Sequence, residues 1–354
     1  LVMLTSSLQR SLRCDLFRRA STICRVVEPS IASSFSYLPR QPTRTLSLSA
    51  ASAMPIRFDK GVAGSFKFND GNDMPKIGLG ISRIVDQEKL TNSVRAALKA
   101  GYRLFDTARI YKNEAKLGIS LKIALAEQGL KREDIFITTK VPTINGDPAG
   151  ETEKSIKESL EMLQTDYLDL VLVHYPRDRY TGNDDDECNA PNRKIVWQKL
   201  EEIHARGVIR SIGVSNYEIY HLVELFEYAK VMPVLNQCEY HPYNTEKLLK
   251  RYCSQKGIVF QAFSSLCWGN QDILNEDPVK AAAAKYGVSP QTILYAFAVS
   301  TNVSIIPKSE TPARIASNLL DTLKASLTED EQKALLALNK DRVFCPGCAP
   351  SNCI

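Results

Sequence analysis

Long apolar runs are missing from this chain: nowhere do roughly 18 uninterrupted hydrophobic residues occur, so a helical membrane protein is excluded and a soluble one is expected. Regular cysteine spacing is also missing. The nine cysteines, at 14, 24, 188, 238, 253, 267, 345, 348 and 353, do not form a secreted disulfide framework, and a reducing compartment fits them better. Cys345-Pro346-Gly347-Cys348 lacks a second pair or a nearby histidine, so it reads as tail rather than zinc site, and no metal is expected. Charge of one sign is missing from most of the chain. The net +5 has its source in residues 1–53, which hold seven Arg, no Lys, and only Asp15 and Glu28 as acids. Taking these from the totals of 45 basic and 40 acidic residues leaves 38 of each, a balance that gives no electrostatic reason to expect a nucleic-acid or membrane-surface partner. The third glycine of a Gly-x-Gly-x-x-Gly turn is missing too. Gly78-Leu79-Gly80 continues as Ile81-Ser82-Arg83, so any dinucleotide must be held by something other than a Rossmann turn.

What is present is an ordinary globular composition, 44% hydrophobic and 24% charged, ample for a large core. The Arg- and Ser-rich segment 1–53 has two readings, a mitochondrial transit peptide or an upstream stretch that is never translated, since Met54-Pro55 immediately precedes foldable sequence. Either way the fold is expected in 54–354, with cytoplasmic residence, or mitochondrial if the leader is translated. From residue 77 onward, short β-rich runs alternate with segments of helical apolar spacing. Eight strands are expected at 77–80, 104–106, 136–140, 168–174, 211–214, 235–239, 259–262 and 303–307. Helices are expected at 86–100, 113–128, 152–163, 195–206, 217–229, 247–256, 278–286, 289–299 and 312–321. Eight βα units in about 250 residues predict a single (β/α)8 TIM barrel, of α/β class, in preference to an open doubly wound sheet. Ahead of it, residues 65–75 alternate around Asp70-Gly71, a β-hairpin expected to cover the barrel floor; a C-terminal helix and tail follow the last strand.

Polar residues at the carboxyl ends of barrel strands point into the mouth. Asp106, Lys140 and His174 each close an apolar strand, and Tyr111 follows Asp106 in the next loop. Singly, each has a plain explanation as helix cap, solvated cation, core imidazole or surface aromatic. Their joint occurrence at successive strand ends has no packing rationale.

The run Gly101-Tyr102-Arg103-Leu104-Phe105-Asp106-Thr107-Ala108-Arg109-Ile110-Tyr111-Lys112-Asn113-Glu114 resembles the signature of the aldo-keto reductase superfamily. Thr138-Thr139-Lys140, Leu172-Val173-His174, Gly213-Val214-Ser215-Asn216, Asn236-Gln237, and Ile306-Pro307-Lys308-Ser309 with Arg314 and Asn318 are similar to its remaining motifs, in order, over about 65–340. The resemblance implies reduction of aldehydes or ketones by NADPH, with a catalytic tetrad of Asp106, Tyr111, Lys140 and His174. A phenol with pKa near 10 is a weak acid at neutral pH, and a neighbouring ammonium favours its phenolate. It also implies that Ser215, Asn216 and Gln237 hold the nicotinamide amide, that Phe263 stacks on its ring where the family usually has Tyr, and that Ser264 and Leu266 touch the pyrophosphate. Lys308, Ser309 and Arg314 then receive the 2′-phosphate, a cluster that favours NADPH over NADH.

Three further departures are visible: Ser317 where Glu usually contacts adenine, Asn270 where an acid usually closes the loop over the pyrophosphate, implying faster cofactor release, and pocket positions often filled by Trp. Those positions hold Ser82, Pro142 and Tyr175, which implies small or polar, sugar-derived substrates rather than steroids. The resemblance further implies a monomer. The acidic run 184–187, within the insertion 177–193, reads as a solvated loop or an overhang at the mouth. Two alternatives remain at this stage, a non-catalytic nucleotide-binding barrel and an NAD-linked polyol dehydrogenase.

Overall fold

The computed structural model describes residues 61–178, 183–345 and 353; the leader expected at 1–53 and Cys348 lie outside them. Strands β1 (Ser65–Lys67) and β2 (Asp73–Pro75) pair antiparallel across a turn in which Gly71 takes φ 91 and Asp70 Oδ1 accepts from Asn72 N at 2.9 Å. The hairpin closes the floor because its apolar side chains enter the barrel. Phe68 and Met74, 3% and 0% exposed, pack with Leu104, Phe136, Leu170, Leu172 and Leu235. Its polar tip is tied to the bottoms of two strands: Ser211 Oγ donates to Asp70 Oδ2 at 2.7 Å and Asn69 Nδ2 to the Pro233 carbonyl at 3.0 Å.

The barrel consists of β3 (Gly78–Gly80), β4 (Leu104–Asp106), β5 (Phe136–Thr143), β6 (Leu168–Asp178), β7 (Ile209–Ser215), β8 (Leu235–Glu239), β9 (Val259–Phe263) and β10 (Ser304–Ile305), each parallel to the next. Closure between first and last strands is slight. Ile77 pairs with Ile305, and Gly80 N donates to the Pro307 carbonyl at 3.0 Å. A Cβ on Gly80 would sit 2.7 Å from the Ile306 carbonyl oxygen, so only glycine lets these strands meet.

Helices alternate with the strands: α1 (Gln87–Ala100), α2 (Glu114–Glu127), α3 (Pro148–Leu163), α4 (Asn189–Ala205), α5 (Ile219–Tyr228), α6 (Lys247–Gln255), α7 (Gln271–Leu274), α8 (Asp277–Tyr286), α9 (Pro290–Ser300), α10 (Pro312–Lys324) and α11 (Glu329–Leu336). Their bounds follow local chemistry. Asp86 caps α1 through Lys89 N, and Gly101 at φ 103 ends it. None among the described residues is long and apolar enough to cross a membrane.

The differences from expectation cluster at the mouth. Strands β5 and β6 run on to Thr143 and Asp178, past Pro142 and Pro176, because their register shifts between Val141 and Thr143, and a bulge tolerates a residue without an N–H. In the acidic run Asp185 and Glu187 are exposed, as a solvated loop would have them, but Asp184 and Asp186 are held. Asp184 pairs with buried Arg177, and Asp186 accepts from Asn145 Nδ2 and from Cys188 N, both at 2.9 Å. Helix α4 therefore starts at Asn189 instead of 195, with Pro191 in its first turn where proline is tolerated.

Candidate active site

The strand ends expected to carry chemistry converge. Lys140 Nζ, fully buried, lies 2.6 Å from Asp106 Oδ1 and donates to the Thr107 carbonyl at 2.9 Å. Its pKa is held below the ordinary lysine range by burial, against the opposing pull of Asp106 and then Glu114. Tyr111 ends a single 3₁₀ turn, Arg109–Tyr111, that Lys112 closes at φ 54. The Lys140 ammonium lies 5.3 Å from the Tyr111 ring centroid, and the His174 ring stands edge-on to Tyr111 with centroids 6.0 Å apart. Acid, ammonium, phenol and imidazole thus gather at one point of the mouth.

The support beneath Tyr111 was not singled out in the sequence. Glu114, 1% exposed at the start of α2, pairs with Arg109 at 2.7 Å and accepts from Thr139 Oγ1 at 2.7 Å and Ser159 Oγ at 2.9 Å. Arg109 also pairs with Glu158 of α3. A readable signal existed: Glu114 shares the helical face of Leu117, Leu121 and Leu125, and an acid on a core face must find donors. Asn113 serves a similar end, donating to the Ile81 and Ile84 carbonyls at 2.9 and 3.1 Å while accepting from Thr107 Oγ1.

The residues expected to hold a nicotinamide amide are wired to the same cluster. Ser215 Oγ donates to the Gln237 carbonyl at 2.8 Å, and Asn216 Nδ2, on a residue at φ 62, donates to the His174 carbonyl at 2.9 Å. Gln237 Nε2 donates to Asp106 Oδ2 at 2.9 Å and Gln261 Oε1 at 2.6 Å. Gln261 was not read as a site residue. Phe263 ends β9 with its ring half-buried at the mouth. Beyond it, Ser264, Cys267 and Trp268 take φ 52, 49 and 57, and Leu266 packs against the core. Trp268 meets the Arg83 guanidinium at 4.3 Å, joining the loop after β9 to the loop after β3 beside half-buried Ser82. Asn270 caps α7, its Oδ1 accepting from Ile273 N at 3.2 Å.

Of the remaining expected pocket residues, Tyr175 is buried with its ring stacked 4.5 Å from that of His174, and Pro142 is buried in β5. After β10, Lys308 is partly exposed, Ser309 is buried, and Arg314 and Asn318 follow on α10. This set fits a phosphorylated dinucleotide: the half-buried aromatic Phe263 and the amide groups of Asn216 and Gln237 for one end, and cations beside a helix start for the other. Among the described residues no group of His, Cys, Asp and Glu is arranged to hold a metal ion.

A parallel barrel whose ionisable side chains meet at the carboxyl ends of its strands is the architecture of (β/α)8 enzymes. The Aldo/keto reductase family model matches residues 64–340. A glyoxal reductase of Bacillus subtilis is 39% identical over 283 residues, covering 79% of this chain and 95% of that protein. The methylglyoxal reductase DkgA of Escherichia coli O157:H7 is 34% identical, covering 79% and 95%. A Bombyx mori aldo-keto reductase solved in complex with NADP superimposes with a TM-score of 0.72 at 29% identity, covering 80% of this chain and 94% of that one. The chain belongs to the aldo/keto reductase family and is an oxidoreductase.

Proposed function

We propose that this protein reduces small aldehydes and ketones to alcohols with NADPH, with Tyr111 as the proton donor. The observation that carries the reading is the buried Lys140–Asp106 pair facing the Tyr111 ring. When bound, the cofactor supplies the hydride. Tyr111 then gives its phenolic proton to the carbonyl oxygen as negative charge grows there, and the Lys140 ammonium stabilises the phenolate left behind. Asp106 keeps that ammonium in place, and Gln237 joins Asp106 to the nicotinamide end. His174, held between Tyr111 and Tyr175, orients the carbonyl oxygen as an oxyanion-hole donor does.

Ser215, Asn216 and Gln237 would hold the nicotinamide amide and Phe263 its ring. Ser264 and Leu266 would meet the pyrophosphate, and Lys308, Ser309, Arg314 and Asn318 the adenosine end. Every group named comes from one chain, so the reading needs no partner subunit. The glyoxal and methylglyoxal reductases among the relatives, together with a pocket that lacks Trp at Ser82, Pro142 and Tyr175, favour small dicarbonyl or sugar-derived aldehydes. The test is NADPH absorbance with glyoxal, methylglyoxal and a panel of aldoses. One NADPH should be consumed per carbonyl reduced, and an unchanged absorbance across the panel would refute the proposal.

A further inference from the structure

The sequence places two cations and a hydroxyl where a 2′-phosphate would sit, but the structure adds an acid to them. Glu310 Oε1 lies 2.7 Å from Lys308 Nζ, and its other oxygen, Oε2, lies 3.6 Å from Lys89 Nζ on α1. The three side chains are 32%, 41% and 65% exposed for Glu310, Lys308 and Lys89. Lys89 and Glu310 border an open groove of about 690 Å³ that Arg95, Lys99 and Pro312 also help to line. The hydrogen bond from Lys308 holds the Glu310 carboxyl below the usual range, so it is charged at neutral pH. On either side of Glu310, Thr311 N donates to Ser309 Oγ at 3.1 Å and Pro312 opens α10.

We infer that Glu310 sets the balance between phosphorylated and unphosphorylated dinucleotides by competing with the 2′-phosphate for Lys308, with Lys89 as the carboxylate's alternative partner. The inference rests on the cofactor reading above. A dianionic phosphate arriving at Lys308 must share the ammonium with the carboxylate and tolerate that negative charge close by. Lys89 lessens that repulsion by retaining Glu310. A ribose 2′-hydroxyl brings no charge, and it can donate to the same carboxylate. Glu310 therefore weakens phosphate binding without penalising the hydroxyl, and narrows the preference that Lys308, Ser309 and Arg314 create.

Calorimetric titration with NADP⁺, NAD⁺, 2′-AMP and 5′-AMP tests this without any turnover. Glu310→Gln should tighten NADP⁺ and 2′-AMP by about three- to tenfold, while NAD⁺ and 5′-AMP stay within about twofold. Lys89→Met should weaken the two 2′-phosphates by about twofold, an effect that disappears when Glu310→Gln is also present. Equal changes for phosphorylated and unphosphorylated ligands in Glu310→Gln, or none, would overturn the inference. Lys308→Ala separates the two levels. If it abolishes the discrimination while Glu310→Gln does nothing, the cofactor reading stands and this inference fails; if Lys308→Ala is itself silent, both fail.

Discussion

Lys140 is cut off from water, and its charge is tolerable only because Asp106 lies 2.6 Å away and the Thr107 carbonyl 2.9 Å away. Removing one partner should therefore hurt more than removing both. Asp106→Asn should lower folding stability by roughly 3–5 kcal/mol, and adding Lys140→Met should restore at least half of that, as measured by urea denaturation. Additive losses in the double variant would mean that the two groups are not energetically coupled. At this scale the sequence was legible where a motif or strand end marked a residue, and the cluster of Asp106, Tyr111, Lys140 and His174 is the clearest case. It was illegible where a role depends on what lies opposite in space. Glu310 stands two residues from Lys308, but its other partner, Lys89, is 221 residues away, and Ser304, which accepts from Gln261 Nε2 at 3.0 Å, is 43 residues from Gln261.

Two elements turn side chains into working parts. The short turn Arg109–Tyr111 has a single 3₁₀ repeat of its own, so its position depends on Arg109 bridging Glu114 and Glu158. Arg109→Ala should lower kcat by about ten- to a hundredfold with little change in NADPH affinity, and Arg109→Lys should recover part of it, because a small displacement of Tyr111 is costly. Unchanged kcat would show that the turn stands without this support. Helix α5 has a different dependence. His221 Nδ1 accepts from Glu218 N at 3.0 Å while Nε2 meets the Cys353 carbonyl at 3.0 Å, an arrangement that suits the neutral ring. Burial, then the nearby Arg193 charge, push its pKa down to about 3 from an ordinary 6.5.

Between those values the unfolded chain binds the proton and the folded chain does not, so the His221 contribution falls as pH drops, by up to ~1.4 kcal/mol per unit. Glu218, pushed up to about 7 by its own burial, slopes the opposite way over its window, so total stability conceals the effect. The difference between wild type and His221→Gln exposes it: wild type should lose its relative advantage steadily from pH 6.5 to 4.5. A constant difference would contradict the assignment. Elements set by their local pattern were readable almost to the residue, as for the short strands β4 and β8 and the long helix α1. The exceptions were elements ruled by long-range pairing: β6, carried past Pro176 by a register shift, and α4, begun early by an acidic loop anchored to Asn145.

The molecule as a whole divides its labour between the two ends of the barrel. At the floor, Met74 fills space between the strand bottoms, away from the mouth where Tyr111 and His174 meet. Met74→Ala should lower stability by about 2–5 kcal/mol through the cavity it leaves, with kcat and KM unaltered at a temperature where the variant is folded. The barrel order, its floor hairpin and the family were all legible, because eight alternating units and ordered motifs leave little freedom in connection. How slender the closure is was not: strands were expected at 77–80 and 303–307, but of the second only Ser304–Ile305 forms a strand, meeting Ile77 through Ile305. What the folded barrel is for turns on one phenolic proton, so the decisive measurement is Tyr111→Phe, assayed for NADPH binding by fluorescence and for methylglyoxal reduction by absorbance. The account predicts binding within about twofold of wild type and turnover lowered by at least about a hundredfold; turnover near the wild-type rate would contradict it.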